Sequence, residues 1–528
     1  MAAEKKQSFL GGAAILAFGI AVVKVIGAVF KIPLLNILGE AGSADFSNAY
    51  NIYATLLMIS TAGLPVALSK MVSEAGTLGR RARARQVFRV SFAAFLTLGV
   101  ISFVLMWFCS GFLAGLLHNP RAAAGIRALA PAVVCVGCLS AFRGYAQGSF
   151  RMTPTAVSQI IEALCKLVIG LALALFLLRA GYPDYIAAAG AIMGVTIGTI
   201  VALVYMILDY MRHREPVPAD EALSPNGEIL KRLLAIAVPI TLSSSMVSII
   251  TLIDTSLVQG QLQNALGLAL DESRRLYGSY SACMNLYNLP SSLMVALTAS
   301  VIPTVSASLA RRDTENTSRV IGSSMRITAL LSFPMGFGLW ALSEPIFALL
   351  YPRFDAALGG RLLATLGIAS IFVCLMLITN SILQSYGRVN LPIVTMLIGG
   401  VVKIVLNYNL VAIPSVNIEG APVGTLVCFM LIALLNLFFV ARSMERKPDY
   451  FAFFTKPLLA SAAMAVCAKL VYALLRRGGL SLIFSVAGAI AVAVVVYVAL
   501  VLVLRIITKD DLSLLPKGEK LAKLLKIR

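Results

Sequence analysis

Continuously apolar stretches recur along the whole chain, each near the roughly 20 residues that carry a helix across a bilayer. This feature fixes the solvent in which the chain folds. The stretches fall at about residues 9–35, 46–69, 88–116, 124–148, 154–178, 184–210, 229–259, 276–308, 318–343, 360–386, 389–412, 419–441, 451–475 and 480–507. They lack the apolar–polar alternation of barrel strands, so helices are predicted throughout. Of 528 residues, 59% are hydrophobic and only 13% charged. An ordinary soluble domain carries about 25% charged residues, and a soluble chain of this composition would expose large apolar patches. The expectation is an all-α polytopic membrane protein with about fourteen transmembrane helices.

The 44 Lys and Arg residues against 24 Asp and Glu give a formal charge of +20. In a membrane protein such an excess marks topology, because basic residues collect in cytoplasmic loops. With the N-terminus inside, 28 of them fall in inside segments, 9 in outside loops and 7 within the blocks. That bias predicts an even number of spans and both termini in the cytoplasm; no nucleic-acid partner is expected. All eight cysteines lie in apolar stretches, as small hydrophobes rather than a disulfide framework. Cys135 and Cys138 are the one close pair, without the second pair a zinc site needs. His118 and His213 lie far apart in polar loops, which argues against histidine catalysis and histidine metal sites. The first apolar run, about residues 9–38, is too long for the core of a cleavable leader.

The two halves of the chain echo each other. Gln147, Arg151, Pro154 and Lys166 recur as Gln384, Arg388, Pro392 and Lys403, at offsets of 237 or 238. TAGLP ending at Pro65 is echoed by TASVIP ending at Pro303, and GAIMG at 190–194 by GAPVG at 420–424. Six helices per repeat is an even number, so the repeats share one orientation, and a substrate site is expected between them. The predicted layout is a six-helix lobe at 1–212, a proline-rich cytoplasmic linker at 213–228, a second lobe at 229–445, an extra helix pair at 446–508 and a basic amphipathic tail at 509–528.

KVIGAVFKIPLLNILG at 24–39, YNIYATLLMISTAGLPVALSKMVSEA at 50–75 and IDTSLV at 253–258 carry a resemblance. Together with the repeat, they make the chain similar to the oligosaccharidyl-lipid flippases of the multidrug/oligosaccharidyl-lipid/polysaccharide superfamily. Within it the chain resembles the SpoVB/YtgP polysaccharide-biosynthesis group, related to the MurJ-type lipid II flippases. The resemblance implies two six-helix lobes that alternate between inward- and outward-open forms. It also implies that the last two helices line a groove for a lipid tail.

Charge inside a membrane is costly enough to suggest function. Lys24 and Lys31 are seven residues apart, so they share one face of the first helix about 10 Å from each other. The functional reading is a grip on a lipid-linked pyrophosphate; the alternative is snorkelling to an interface. By the resemblance, Lys24 stands where MurJ-type proteins carry a cavity arginine. Lys31 stands at their Arg-Asp pair, with Phe30 in the arginine's place. Asp45 matches an aspartate of those proteins, though an acid at a helix N-terminus also favours the macrodipole. Glu162 and Lys166, four residues apart, are expected to pair on the fifth helix as a structural ion pair. Lys403 repeats Lys166 with Gly399 in place of the acid, which leaves it a substrate-binding candidate. Asp254 is the candidate for coupling a sodium ion or proton. Tyr280, Asn285 and Asn288 suit sugar hydroxyls, with Tyr50, Asn51 and Tyr53 as similar candidates; an interfacial aromatic belt is the alternative.

The function expected is a flippase that moves an undecaprenyl-pyrophosphate-linked cell-wall precursor, lipid II or a related glycan, across the bacterial cytoplasmic membrane. The alternatives are a cation-coupled drug or metabolite antiporter of the same superfamily and a membrane glycan polymerase or transferase. No phosphate-binding P-loop is present. The expectation is therefore a non-enzyme without cofactor or metal, coupled to sodium, protons or membrane potential. Its partners would be the lipid-linked oligosaccharide and membrane lipids, and the protein is expected to be a monomer.

Overall fold

The computed structural model describes residues 9–213 and 225–507, and every regular element among them is helical. Most of the expected linker at 213–228 and the whole amphipathic tail at 509–528 lie outside the described residues. The helices are α1 (Phe9–Thr61), α2 (Leu64–Thr77), α3 (Arg81–Phe108), α4 (Ser110–Leu116), α5 (Ala123–Gly148), α6 (Thr153–Arg179), α7 (Asp184–Arg212) and α8 (Asn226–Asn264). They continue with α9 (Leu270–Ala310), α10 (Thr314–Ala341), α11 (Ser343–Leu350), α12 (Ala356–Ser385), α13 (Asn390–Leu410), α14 (Gly420–Ser443), α15 (Tyr450–Arg477) and α16 (Leu482–Val503).

Among the described residues, eleven helices are long and apolar enough to cross a membrane, or twelve if the bent halves of α8 count as one span. The expected fourteen differ by taking α1 as two spans and by adding α9, which is not in that set. No loop separates the first two blocks. They join in α1 across a kink at Gly39, whose φ of 70° is costly for a residue with a Cβ. Pro65 then sits in the first turn of α2, where its missing N–H breaks no helical bond.

The chain forms two compact units, residues 1–278 and 279–528. The first therefore runs past the expected boundary at 213–228, because α8 is bonded into it by a polar ladder. Asn48 and Gln259 exchange hydrogen bonds of 3.0–3.1 Å, and Asn51 Nδ2 donates to Thr255 Oγ1 at 3.0 Å. Thr55 donates to the Ser248 carbonyl at 3.2 Å, and the Gly63 N–H to Thr241 Oγ1 at 3.2 Å. Elsewhere in this unit small residues let backbones approach, as membrane helices require. A Cβ on Gly194 would stand 2.5 Å from Gly170 Cα, so α6 and α7 cross in near contact.

In the second unit α12 packs on α10 and α14, and α13 on α14. The extra pair joins it through α15 on α10 and α16 on α15. Tyr497 Oη donates to the Leu330 carbonyl at 2.8 Å, which satisfies its hydroxyl in an apolar interface.

The sequence repeat is visible in backbone geometry. After α5, Phe150 N–H donates to Gln147 O and Arg151 N–H to Ala146 O; after α12, Gly387 N–H donates to Gln384 O and Arg388 N–H to Leu383 O. Phe150 and Gly387, 237 positions apart, both take positive φ, 58° and 73°. The same left-handed helix ending closes both turns.

Candidate functional site

Three lysines converge within the first unit. Gly19 lies against Ala156 and the Phe30 ring against Gly170, so α1 and α6 run side by side in the same direction. That register brings Lys166 of α6 to the level between Lys24 and Lys31 of α1, and Lys31 stands within electrostatic reach of both. Lys24 is exposed, Lys31 and Lys166 half-buried. Like charges repel at this range, so an anion placed among them would be stabilised.

Glu162 does not make the expected pair with Lys166. Its Oε2 accepts from Arg143 Nη2 of α5 at 3.1 Å, and Arg143 Nε donates to Ser158 Oγ at 2.9 Å. The planar guanidinium serves the hydroxyl through Nε and the carboxylate through Nη2, in fixed directions that a lysine's single ammonium does not provide. Lys166 instead places its ammonium 5.3 Å from the centroid of the Phe30 ring, a cation–π contact worth about 0.5–2 kcal/mol. From Phe30 an aromatic ladder crosses the kink of α1 through Phe46 and Tyr50 to Tyr53, with centroids 6.2, 5.9 and 5.7 Å apart. Tyr53 is buried within electrostatic reach of Glu162 and Arg143. Gln159, two turns before Lys166 on α6, has a buried Oε1 without a hydrogen-bond partner among the described residues.

A second polar cluster closes one end of this unit. Arg274, only 1% exposed, pairs with Asp45, with Asp184 at 2.9 Å and with Asp271 at 2.7 Å. Asn119 Nδ2 also donates to Asp45, at 2.8 Å. Asp45 is thus held in a buried ion network rather than turned toward the lysines. Arg274 holds the Asp271 carboxyl below the usual carboxylate range by hydrogen bonding to it. Beside this network a Cβ on Gly278 would fall 1.8 Å from the Glu40 carbonyl, so α9 meets α1 where only glycine fits.

A family model described as polysaccharide biosynthesis protein matches residues 9–309, more than half the chain and all the groups just described. The chain belongs to the polysaccharide biosynthesis protein family. A second model, MatE, matches residues 239–409. The uncharacterized membrane protein YabM of Bacillus subtilis (strain 168) is 26% identical over 99% of this chain and 98% of its own length. Stage V sporulation protein B of the same organism is 24% identical, over 97% of this chain and 98% of its own. Among solved structures, the lipid II flippase MurJ in an inward closed conformation superposes with a TM-score of 0.67 at 14% identity, covering 93% of this chain and 98% of that one. The polysaccharide biosynthesis protein family member described here is therefore a multi-pass membrane protein with the fold of the multidrug/oligosaccharidyl-lipid/polysaccharide superfamily.

The first unit of this family member brings together Lys24, Lys31, Lys166, Glu162, Tyr50 and Tyr53. Asn51 is spent on the α1–α8 ladder, and Asp254 is buried on α8 beside Thr255, the residue that accepts from Asn51 and from Tyr277. The remaining candidates lie in the second unit. Tyr280 is buried with its hydroxyl 3.3 Å from Thr425 Oγ1. Asn288 is exposed and donates to the Met284 carbonyl at 2.7 Å, and Asn285 is half-buried. Lys403 is 6% exposed, so the repeat gives the two lysines the same place on their helices but different surroundings. Arg143 and Arg274 received no role from the sequence. An intramembrane arginine within reach of an acid on the next helix was the available signal for Arg143; nothing local marked Arg274.

Proposed function

We propose that the protein translocates a lipid-linked glycan diphosphate, lipid II or a related undecaprenyl-linked cell-wall precursor, by alternating access across the bacterial cytoplasmic membrane. The observation that carries this reading is the convergence of Lys24, Lys31 and Lys166 on adjoining helices. Cationic groups gathered in an apolar medium suit a diphosphate through charge-assisted hydrogen bonds. The polysaccharide family match and the likeness to a lipid II flippase support the same substrate class. Phe30, Phe46 and Tyr53 of the aromatic ladder are buried, and the half-buried Tyr50 is the ring of that ladder left to meet a sugar. Both termini lie in the cytoplasm in this reading, and an inside-negative potential favours return of the emptied cationic site to the inward form. Drug antiport, the activity a likeness to MATE transporters would suggest, needs the opposite charge for a cationic drug.

The test is rescue of a bacterial strain lacking its lipid II flippases, paired with a leaflet-accessibility assay on purified protein in liposomes. Failure of both would remove the proposal. Export of a cationic dye without lipid translocation would favour the antiporter.

A further inference from the structure

Among the described residues, Glu162 is the carboxylate that the structure places with the cations of the first unit's cluster, and the partner it takes is informative. Arg143 holds it at 3.1 Å, while Lys166, one helical turn along the same face, rests on the Phe30 ring. Lys31 reaches both Lys166 and Lys24. Among the described residues the cluster thus holds four cationic side chains and one carboxylate. The side chains of Arg143 and Glu162 are 14% and 25% exposed, so neither is screened as a surface pair would be. Arg143 spends Nε and Nη2 on Ser158 and Glu162, and a guanidinium has five N–H donors.

We infer that Glu162 is a resident counter-anion: it occupies Arg143 while the site is empty and competes with the diphosphate for that guanidinium once the headgroup enters. The inference rests on the reading of the lysines as a diphosphate site. Arg143 is then a fourth headgroup-binding cation. A transporter must release what it binds, and a site of four uncompensated cations would hold a diphosphate too tightly to turn over. Glu162 limits the affinity through charge already inside the protein. The competition also selects by charge. A diphosphate can draw Arg143 away from one carboxylate, whereas a monophosphate has less to offer and is met by the lysines alone. The Gln159 oxygen, buried on the same helix face without a partner among the described residues, suits a hydroxyl or amide N–H next to the phosphates.

The experiment measures binding of geranylgeranyl diphosphate and geranylgeranyl monophosphate to the purified full-length protein in nanodiscs, for the wild type and three variants. Glu162→Gln is expected to bind the diphosphate about fivefold or more tightly, with a smaller change for the monophosphate and slower lipid translocation in liposomes. Arg143→Gln, which leaves the carboxylate uncompensated, is expected to weaken diphosphate binding about tenfold. The double variant Arg143→Gln, Glu162→Gln keeps shape without either charge and is expected to bind better than Arg143→Gln alone. A merely structural pair would lower thermal stability in the single variants and leave the diphosphate-to-monophosphate ratio where it was. An unchanged ratio across Glu162→Gln and the double variant overturns the inference while wild-type diphosphate binding keeps the substrate reading. Absence of wild-type binding to either lipid overturns the substrate reading itself. If Glu162→Gln does not fold, the double variant against the wild type decides, and equal ratios in those two overturn the selectivity argument.

Discussion

The Arg274 guanidinium grips the Asp45 carboxylate with two nitrogens, Nε on Oδ1 at 3.0 Å and Nη2 on Oδ2, across 229 residues of chain. This fork ties the first turn of α9 to the second arm of α1, and Asp184 brings in the start of α7. Removing one partner from a buried ion pair leaves an uncompensated charge and costs about 3–5 kcal/mol. Arg274→Gln is therefore expected to lower the unfolding temperature in detergent more than Asp45→Asn. Asp271→Asn should do least, because that carboxylate is mostly exposed. Equal stability of Arg274→Gln and wild type would show that the network holds nothing.

Acid should loosen the same end. The Asp271 carboxyl titrates below its usual range in the folded protein, so its pairing stabilises the fold above that range and the benefit disappears as pH falls through it. Acid unfolding followed by circular dichroism should begin at higher pH for Arg274→Gln than for wild type.

Lys24→Gln should abolish rescue of the flippase-deficient strain with unchanged membrane abundance. Lys31→Ala and Lys166→Gln should weaken rescue, and Lys24→Arg should retain part of it, since charge persists but donor geometry changes. Normal rescue by the Lys24→Gln, Lys31→Gln double variant would move headgroup recognition away from α1.

Gly63 packs against α8 so closely that a Cβ would lie 2.0 Å from the Ala237 carbonyl, whereas nothing lies within 4 Å of a Cβ on Gly27. Gly63→Ala should force α8 away and lower the unfolding temperature. Gly27→Ala should leave it unchanged or raise it, by up to about 1 kcal/mol of helix propensity. Matching losses from both would argue that helix flexibility, not the close approach, is what these glycines supply.

Phe150 adopts the left-handed conformation that its counterpart Gly387 takes at little cost. Phe150→Gly should relieve about 1 kcal/mol of backbone strain and raise thermal stability. Gly387→Val should lower it. Both are read from unfolding temperatures at constant detergent concentration.

The sequence by itself determined what depends on near neighbours and on periodicity. Long apolar blocks set the helices because a bilayer leaves backbone polar groups no partner outside a helix. The repeated Gln–Arg–Pro pattern foretold two equivalent turns, since a helix ending is decided within a few residues. Lys24 and Lys31 could be placed on one face because 3.6 residues make a turn. Only the tertiary structure decided which charges meet. The spacing of Glu162 and Lys166 allowed a pair, but the packing of α5 on α6 offered the carboxylate a guanidinium with a fork to fit it. Asp45 looked like a residue facing substrate until α9 brought Arg274 to it. Helical period places a side chain on a face; the neighbouring helix decides what that face touches, and it comes from chain far away in sequence.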